Sequence, residues 1–199
     1  MNNVIFVDRV GKHPRPRLFN ETQQIRIKTT GVTIHQTGCL MPTSSSGWDT
    51  LNAHIGISRE GVVYIVNSLD DFIWHAQGLS ASTIGVEIEG NLEGVVGGSW
   101  THWKQGGGPH YLTDEQMTAL QAVEVYLADW FKRNAIPWTT INAHRQSSKD
   151  RRSDPGQEIW SFIRRNWDWT GKTDGGPEYK LGTGNPLPTE WGKDYTADF

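Results

Sequence analysis

Residues 143–156, AHRQSSKDRRSDPG, lie between a short β-type run at 138–142 and an amphipathic run at 158–169. This places His144 at a strand end and Asp154 ten residues later, just before a Pro-Gly helix entry. A returning loop can bring the carboxylate beside the imidazole, as a metal site requires. Taken alone, such a pair is more simply explained as polar residues of a surface loop. A metal site therefore needs further ligands from elsewhere in the chain.

Three β-type segments precede this stretch. Residues 32–38 are β-branched and end in a glycine, which predicts a buried strand with His35 at its end. A lone histidine there is more often a hydrogen-bonded structural residue than a ligand. Residues 55–66 predict two strands joined by a turn, and 84–90 predict a further strand. Alternation in that strand puts Glu87 and Glu89 on one face.

Helical patterns complete the fold prediction. Residues 113–116 form a capping-box pattern, and apolar residues then recur at helical spacing as far as Asn134. A last helix is predicted over 158–169, a short helix over 48–54 and an edge strand over 4–7. Strands interspersed with two long helices predict an α/β fold, with a mixed central β-sheet flanked by helices.

Composition narrows the classes of function. The 199 residues carry a net charge of −3, which argues against a nucleic-acid binder that uses a broad basic surface. The single cysteine, Cys39, excludes an intrachain disulfide. The N-terminal residues lack the long apolar run of a signal peptide or membrane span, so we expect synthesis in the cytoplasm and no membrane insertion. Ten tryptophans suit either core packing or a carbohydrate-binding groove.

Two segments stand apart from the periodic pattern. Residues 91–111 are rich in glycine and too long for a simple connection, which predicts a flap or a functional loop. Residues 170–199 are rich in Gly and Pro and show no periodicity. We interpret them as a C-terminal tail that either wraps the domain or stays mobile, with Trp191 and Phe199 favouring some docking. The predicted division is a catalytic domain at 1–169 and a tail at 170–199.

His35, His144 and Asp154 all fall at strand ends or in loops at one rim of the predicted sheet. Two imidazoles and a carboxylate make a three-ligand zinc site with an open fourth position. Here the sequence resembles the type 2 N-acetylmuramoyl-L-alanine amidases, which share a fold with peptidoglycan recognition proteins. The matching pieces, in family order, are Ile34-His35-Gln36-Thr37, Ala53-His54, Trp74-His75-Ala76, Ile84-Gly85-Val86-Glu87, Ala143-His144-Arg145 and Ser153-Asp154-Pro155-Gly156.

The resemblance implies one zinc ion per chain, bound by His35, His144 and Asp154. It also implies hydrolysis of the amide between N-acetylmuramic acid and L-alanine in peptidoglycan. Glu87 matches the catalytic base of several members. Arg152 falls where many members carry a lysine that steadies the oxyanion, although a planar guanidinium differs from an ammonium in geometry.

Three more residues are candidates for contacting the substrate or holding the ligands in place: His54, Trp74 and His75. For the two histidines, a structural role with bonds to the backbone is an equal alternative. Some family members place a tyrosine directly before the second histidine. Ala53 occupies that position and excludes a tyrosine role there.

Three functions compete at this stage. The favoured one is a monomeric, phage-endolysin-like enzyme that degrades the cell wall after release from the cell. The second is a cytosolic amidase that recycles soluble muropeptides. The third is a non-enzymatic peptidoglycan-binding module. It is disfavoured because binding-only relatives typically lose the third zinc ligand, whereas this chain retains Asp154. A glycosidase that uses Glu87 and Glu89 would leave both ligand histidines without a task.

Overall fold

The computed structural model describes residues 3–12, 29–95 and 109–192. These residues form six β-strands, two α-helices and short 3-10 turns. The strands are β1 (Phe6–Asp8), β2 (Gly31–Gln36), β3 (Ile55–Ile57), β4 (Val63–Ile65), β5 (Thr83–Ile88) and β6 (Thr140–Ala143). The helices are α1 (Asp114–Arg133) and α2 (Gln157–Asn166).

The strands form one mixed sheet in the order β1-β4-β3-β5-β2-β6. Only β3 and β4 pair antiparallel, because a short turn joins them as the predicted hairpin. The other pairs are parallel. The predicted mixed α/β sheet flanked by helices is thereby confirmed, with β1 at one edge and β6 at the other.

Strands β5, β2 and β6 are parallel neighbours, and their carboxyl ends meet at one edge of the sheet. His35 in β2 is the register partner of Glu87 in β5. Ala143, the last residue of β6, is the partner of Ile34, so His144 leaves the sheet beside His35. The register of two parallel ladders thus gathers residues that lie far apart in the sequence.

Both predicted long helices are present. Helix α1 begins after Thr113, whose side chain accepts from the Gln116 N–H while the Gln116 side chain accepts from the Thr113 N–H. Helix α2 ends at Asn166, earlier than predicted, and buries Ile159, Phe162 and Ile163 as expected. The helix predicted over 48–54 is instead a 3-10 turn, Ser45–Thr50, because Leu51 is already extended.

The segment after Trp169 packs against the domain as far as residue 192. Thr173 forms a parallel bridge with Thr140 at the β6 edge, and Trp191 is only 1% exposed within the main core. Of the two predicted behaviours of the tail, wrapping describes residues 170–192. Phe199 and residues 96–108 of the loop predicted over 91–111 lie outside the described residues. No helix in the described part of the chain is long and apolar enough to cross a bilayer.

Candidate metal centre

Three side chains converge at the carboxyl ends of β2 and β6. Nδ1 of His144 lies 2.9 Å from Nδ1 of His35 and 2.9 Å from Oδ2 of Asp154. The three residues are buried, and each can direct one ligand atom into a region no more than 4.8 Å across. The structure therefore brings together the three residues that the sequence predicts as metal ligands, and their role as ligands stays a prediction.

A hydrogen-bonded relay sets the proton positions on His35. Nε2 of His75 lies 3.0 Å from the Thr83 carbonyl, which can only accept, so His75 donates there and its Nδ1 accepts. The donor to that nitrogen is Nε2 of His35, 3.0 Å away. Neutral His35 consequently has a free lone pair on Nδ1, the atom that faces His144 and Asp154.

The pKa of His35 agrees with this protonation state. Complete burial lowers it well below the usual histidine value, and the neighbouring histidines lower it further. A neutral imidazole is the form that binds a metal.

Asp154 is fixed by the backbone on both sides of the site. Its Oδ1 accepts the Gln36 N–H at 2.9 Å, and its carbonyl accepts the Arg145 N–H at 2.9 Å. The Gln36 side chain also donates to the Ser153 carbonyl at 2.8 Å. Gln36, which the sequence analysis did not single out, thus ties the end of β2 to the loop that carries Asp154.

This donor set fits a divalent cation. Nδ1 of His35 presents a lone pair and the Asp154 carboxylate only accepts, while a proton on Nδ1 of His144 can point to only one of them. Buried acceptors at such short separation need positive charge between them. Two imidazoles and one carboxylate are a typical zinc ligand set with a position left for substrate or water.

Glu87 lies beside these ligands. Its Oε1 is 3.8 Å from Nδ1 of His35, and its Oε2 is buried without a hydrogen-bond partner among the described residues. Burial raises the pKa of Glu87 well above its usual value; the charge of Asp154 adds to the rise and Arg151 opposes it. A carboxylate with an unsatisfied oxygen beside a metal site is suited to accept a proton.

Glu89, two residues along, has a different task. Its Oε1 accepts the Met41 N–H at 2.7 Å and its Oε2 accepts the Arg59 N–H at 2.9 Å. Both oxygens are therefore used to hold loops, which leaves Glu87 as the carboxylate at the ligands.

The two adjacent arginines that precede Ser153 and Asp154 lie in different environments. Arg152, the residue predicted to steady the oxyanion, has an exposed side chain, and its carbonyl accepts from Nη1 of Arg145. Arg151 is half-buried and lines the cleft with Trp74 and His144. Its charge also acts on both Glu87 and His35. The geometry favours Arg151 as the cation at the site, and a role for Arg152 stays a prediction.

Trp74 and His75 both line the same open cleft, which has a volume of about 380 Å³. Trp74 is 47% exposed, so its ring is available to a ligand, whereas His75 is buried and supports His35. His54 is fully buried, accepts the Gly85 N–H at Nδ1 and donates from Nε2 to the Asp71 carbonyl. His54 is therefore held by the backbone, and its ring packs edge-on against His75 with the ring centroids 5.6 Å apart.

Gly85 leaves the space that the ring of His75 occupies. A Cβ at this position would lie 2.7 Å from the His75 ring, closer than such atoms approach. Only a glycine leaves room for the ring between β5 and His35.

The mixed α/β sheet thus carries, at its carboxyl edge, a buried His-His-Asp group that could hold a metal ion. The model of the N-acetylmuramoyl-L-alanine amidase family matches residues 25–157, about two-thirds of the chain, including the three candidate ligands and Glu87. The chain therefore belongs to the N-acetylmuramoyl-L-alanine amidase family and is an amide hydrolase of that class. The suspected family is confirmed.

Solved structures show the same fold at low sequence identity. The endolysin amidase LysCS from Clostridium intestinale has a TM-score of 0.54 and 18% identity, covering 84% of this chain and 98% of its own. Drosophila PGRP-LB has a TM-score of 0.57 and 14% identity, covering 86% and 97%. The Ph2119 endolysin from a Thermus scotoductus bacteriophage has a TM-score of 0.50 and 11% identity, covering 82% and 99%. Comparison with curated protein sequences gave no match.

Proposed function

We propose that this chain is a zinc-dependent amidase that cuts the bond between N-acetylmuramic acid and L-alanine in cell-wall peptidoglycan. The observation that carries the proposal is the convergence of His35, His144 and Asp154 beside the unpartnered Oε2 of Glu87. Zinc in such a site acts as a Lewis acid and makes water acidic enough to deprotonate near neutral pH.

Each side chain then has a distinct role. His35, His144 and Asp154 hold the metal, and His75 keeps His35 in the tautomer whose Nδ1 is free to bind it. Glu87 takes a proton from the attacking water and passes it to the leaving amine. The pKa of Glu87 would fall again beside a bound cation, because nearby positive charge favours the carboxylate.

Two features of the cleft support a role for residues outside the metal ligands. Arg151 carries positive charge on the same side as the ligands, where it can stabilise negative charge that develops on the scissile carbonyl oxygen. The exposed ring of Trp74 offers a flat apolar face, a common way to bind a sugar.

We further propose that the natural substrate is polymeric cell wall and that the enzyme is lytic. The open cleft supports a long substrate, and two of the similar structures are endolysins by name. Comparing turnover of intact sacculi with turnover of soluble muropeptides tests this part. Faster turnover of the soluble fragments would favour the recycling function.

The bond that is cut can be identified from the products. Purified peptidoglycan should release peptides with free L-alanine amino termini and no new reducing sugar ends. A chelator should stop the reaction, added zinc should restore it, and Asp154→Ala should lower both zinc content and activity. Reducing ends that accumulate without new amino termini would contradict the amidase function, and full zinc content in Asp154→Ala would remove that ligand.

A further inference from the structure

The metal loop, residues 144–154, is contacted by a segment that lies beyond the family match. This segment, residues 171–192, is called the C-terminal brace below. It starts at the β6 edge, where Thr173 donates to the Thr139 carbonyl at 3.0 Å and accepts from the Ile141 N–H at 3.1 Å. The brace thus satisfies backbone groups at the edge of β6, the strand that delivers His144.

The middle of the brace bonds the metal loop directly. Leu181 N–H donates to the Gln146 carbonyl at 2.7 Å, and Asn185 N–H donates to the Arg145 carbonyl at 2.8 Å. The Asn185 side chain also donates to the carbonyls of Ser148 and Lys149, at 3.1 and 3.3 Å. Four hydrogen bonds from two brace residues therefore hold the first half of the loop.

The end of the brace holds a buried cation at the root of the loop. The guanidinium of Arg145 lies 4.8 Å from the ring centre of Trp191, which is 1% exposed. Arg145 Nη1 donates to the Arg152 carbonyl, and its N–H donates to the Asp154 carbonyl. Arg145 consequently joins Trp191 to the far end of the loop, next to the ligand Asp154.

The geometry points to the C-terminal brace as an element that, together with Gln36, holds the loop between His144 and Asp154 in its binding conformation, with Trp191 as a positioning residue acting through Arg145. This inference rests on the proposed zinc ligands. A loop held in its binding conformation pays less ordering entropy when the metal binds. Weakening the brace should therefore lower zinc affinity, whereas a loss of core packing elsewhere in the chain should lower only the stability.

The first test compares two buried tryptophans in the full-length chain. Trp191→Leu removes the contact to Arg145, whereas Trp130→Leu removes another buried ring, 8% exposed, on α1, which lines a groove at the β1 edge of the sheet. Both should lower the melting temperature of the metal-free protein. Only Trp191→Leu should weaken zinc binding, by about tenfold or more in competition with a chelator, and Trp191→Phe should restore most of it.

A milder pair keeps the test valid if Trp191→Leu does not fold. Asn185→Ala removes two side-chain bonds to the metal loop, whereas Asn134→Ala removes one bond from a side chain to the Trp130 carbonyl at the end of α1. We expect weaker zinc binding and faster amide hydrogen exchange across 144–154 only in Asn185→Ala.

The possible results distinguish a failure of the inference about the brace from a failure of the proposed function. Wild-type zinc affinity in both Trp191→Leu and Asn185→Ala would overturn the inference about the brace but leave the ligand assignment unchanged. Wild-type affinity in Asp154→Ala, or no zinc binding by the unmodified chain, would overturn the ligand assignment and the inference with it.

Discussion

Glu87 and Glu89 differ in what surrounds them, although they are two residues apart and chemically identical. Backbone N–H groups occupy both oxygens of Glu89, while Glu87 faces His35 with one oxygen unpartnered among the described residues. Hydrogen bonds to a carboxylate stabilise its charge, and burial without them raises the pKa. This environment favours Glu87 over Glu89 as the proton acceptor of the proposed reaction.

Replacing Glu87 with Gln tests this role. The variant should bind zinc normally and lose turnover by about a hundredfold or more, because an amide cannot accept the proton. Glu89→Gln is the control from the same part of the chain: it should lower the melting temperature, since an amide offers one acceptor to two N–H groups, and keep the turnover of the folded enzyme. Near-normal turnover of Glu87→Gln with full zinc content would mean that another group is the base.

The adjacent arginines allow an equally direct comparison. Arg151→Ala should lower kcat by about tenfold or more, because Arg151 lines the cleft and would stabilise the developing charge. Arg152→Ala should change kcat little, because the Arg152 side chain is exposed. Steady-state kinetics on a soluble muropeptide measure both. A larger effect of Arg152→Ala would restore the role that the sequence pattern assigns to Arg152.

Among single residues, the sequence predicts which candidate ligands come together better than it predicts the residues that support them. His35, His144 and Asp154 follow from strand ends and motif order, and the structure brings them together. The choice between Arg151 and Arg152 depends on the path of a loop without periodicity, so it needs coordinates. Gln36 gave one signal, its place directly after His35, but its bonds to the metal loop depend on tertiary packing.

The elements that carry the site are predicted from pattern because each has a strong local cause. Strands β2 and β5 are rich in β-branched residues and fully or largely buried, and α1 has a capping box and an apolar stripe. The brace has neither alternation nor helical spacing. It is held by isolated backbone bonds and one buried tryptophan, so its path could not be derived from the sequence.

The backbone of Gly184 packs directly against the metal loop. A Cβ there would lie 2.0 Å from the Gln146 carbonyl oxygen, so Gly184→Ala should push the two backbones apart and cost about 1–3 kcal/mol of unfolding free energy. Gly192→Ala adds a methyl group in open space and should change stability by less than about 0.5 kcal/mol. Chemical denaturation measures both free energies of unfolding. Equal values for the two variants would show that the brace and the metal loop are not in close contact at Gly184.

For the molecule as a whole, the main question is whether residues 1–169 form a self-sufficient domain. The composition after Trp169 predicts a separable tail, and that boundary stays a prediction. The packing points the other way, because Trp191 belongs to the main core and Arg145 stacks on it. Removing a buried tryptophan leaves a cavity and an uncovered cation.

Truncation after Trp169 decides between these possibilities. We expect the shortened chain to melt about 10 °C lower than the full chain, since loss of a core tryptophan costs about 3–5 kcal/mol. Calorimetry of both metal-free proteins is the measurement, and truncation after residue 192 is the control. An unchanged melting temperature would establish 1–169 as an independent domain.

The two ligand histidines are 109 residues apart in the chain. In the unfolded polypeptide, gathering them would mean closing a very long loop, and the entropy of that closure opposes chelation. A metal ion held by these ligands would accordingly bind the native chain more tightly than the denatured one. Zinc would then act as a thermodynamic stabiliser as well as a catalyst, and the free zinc concentration would set how stable the folded chain is.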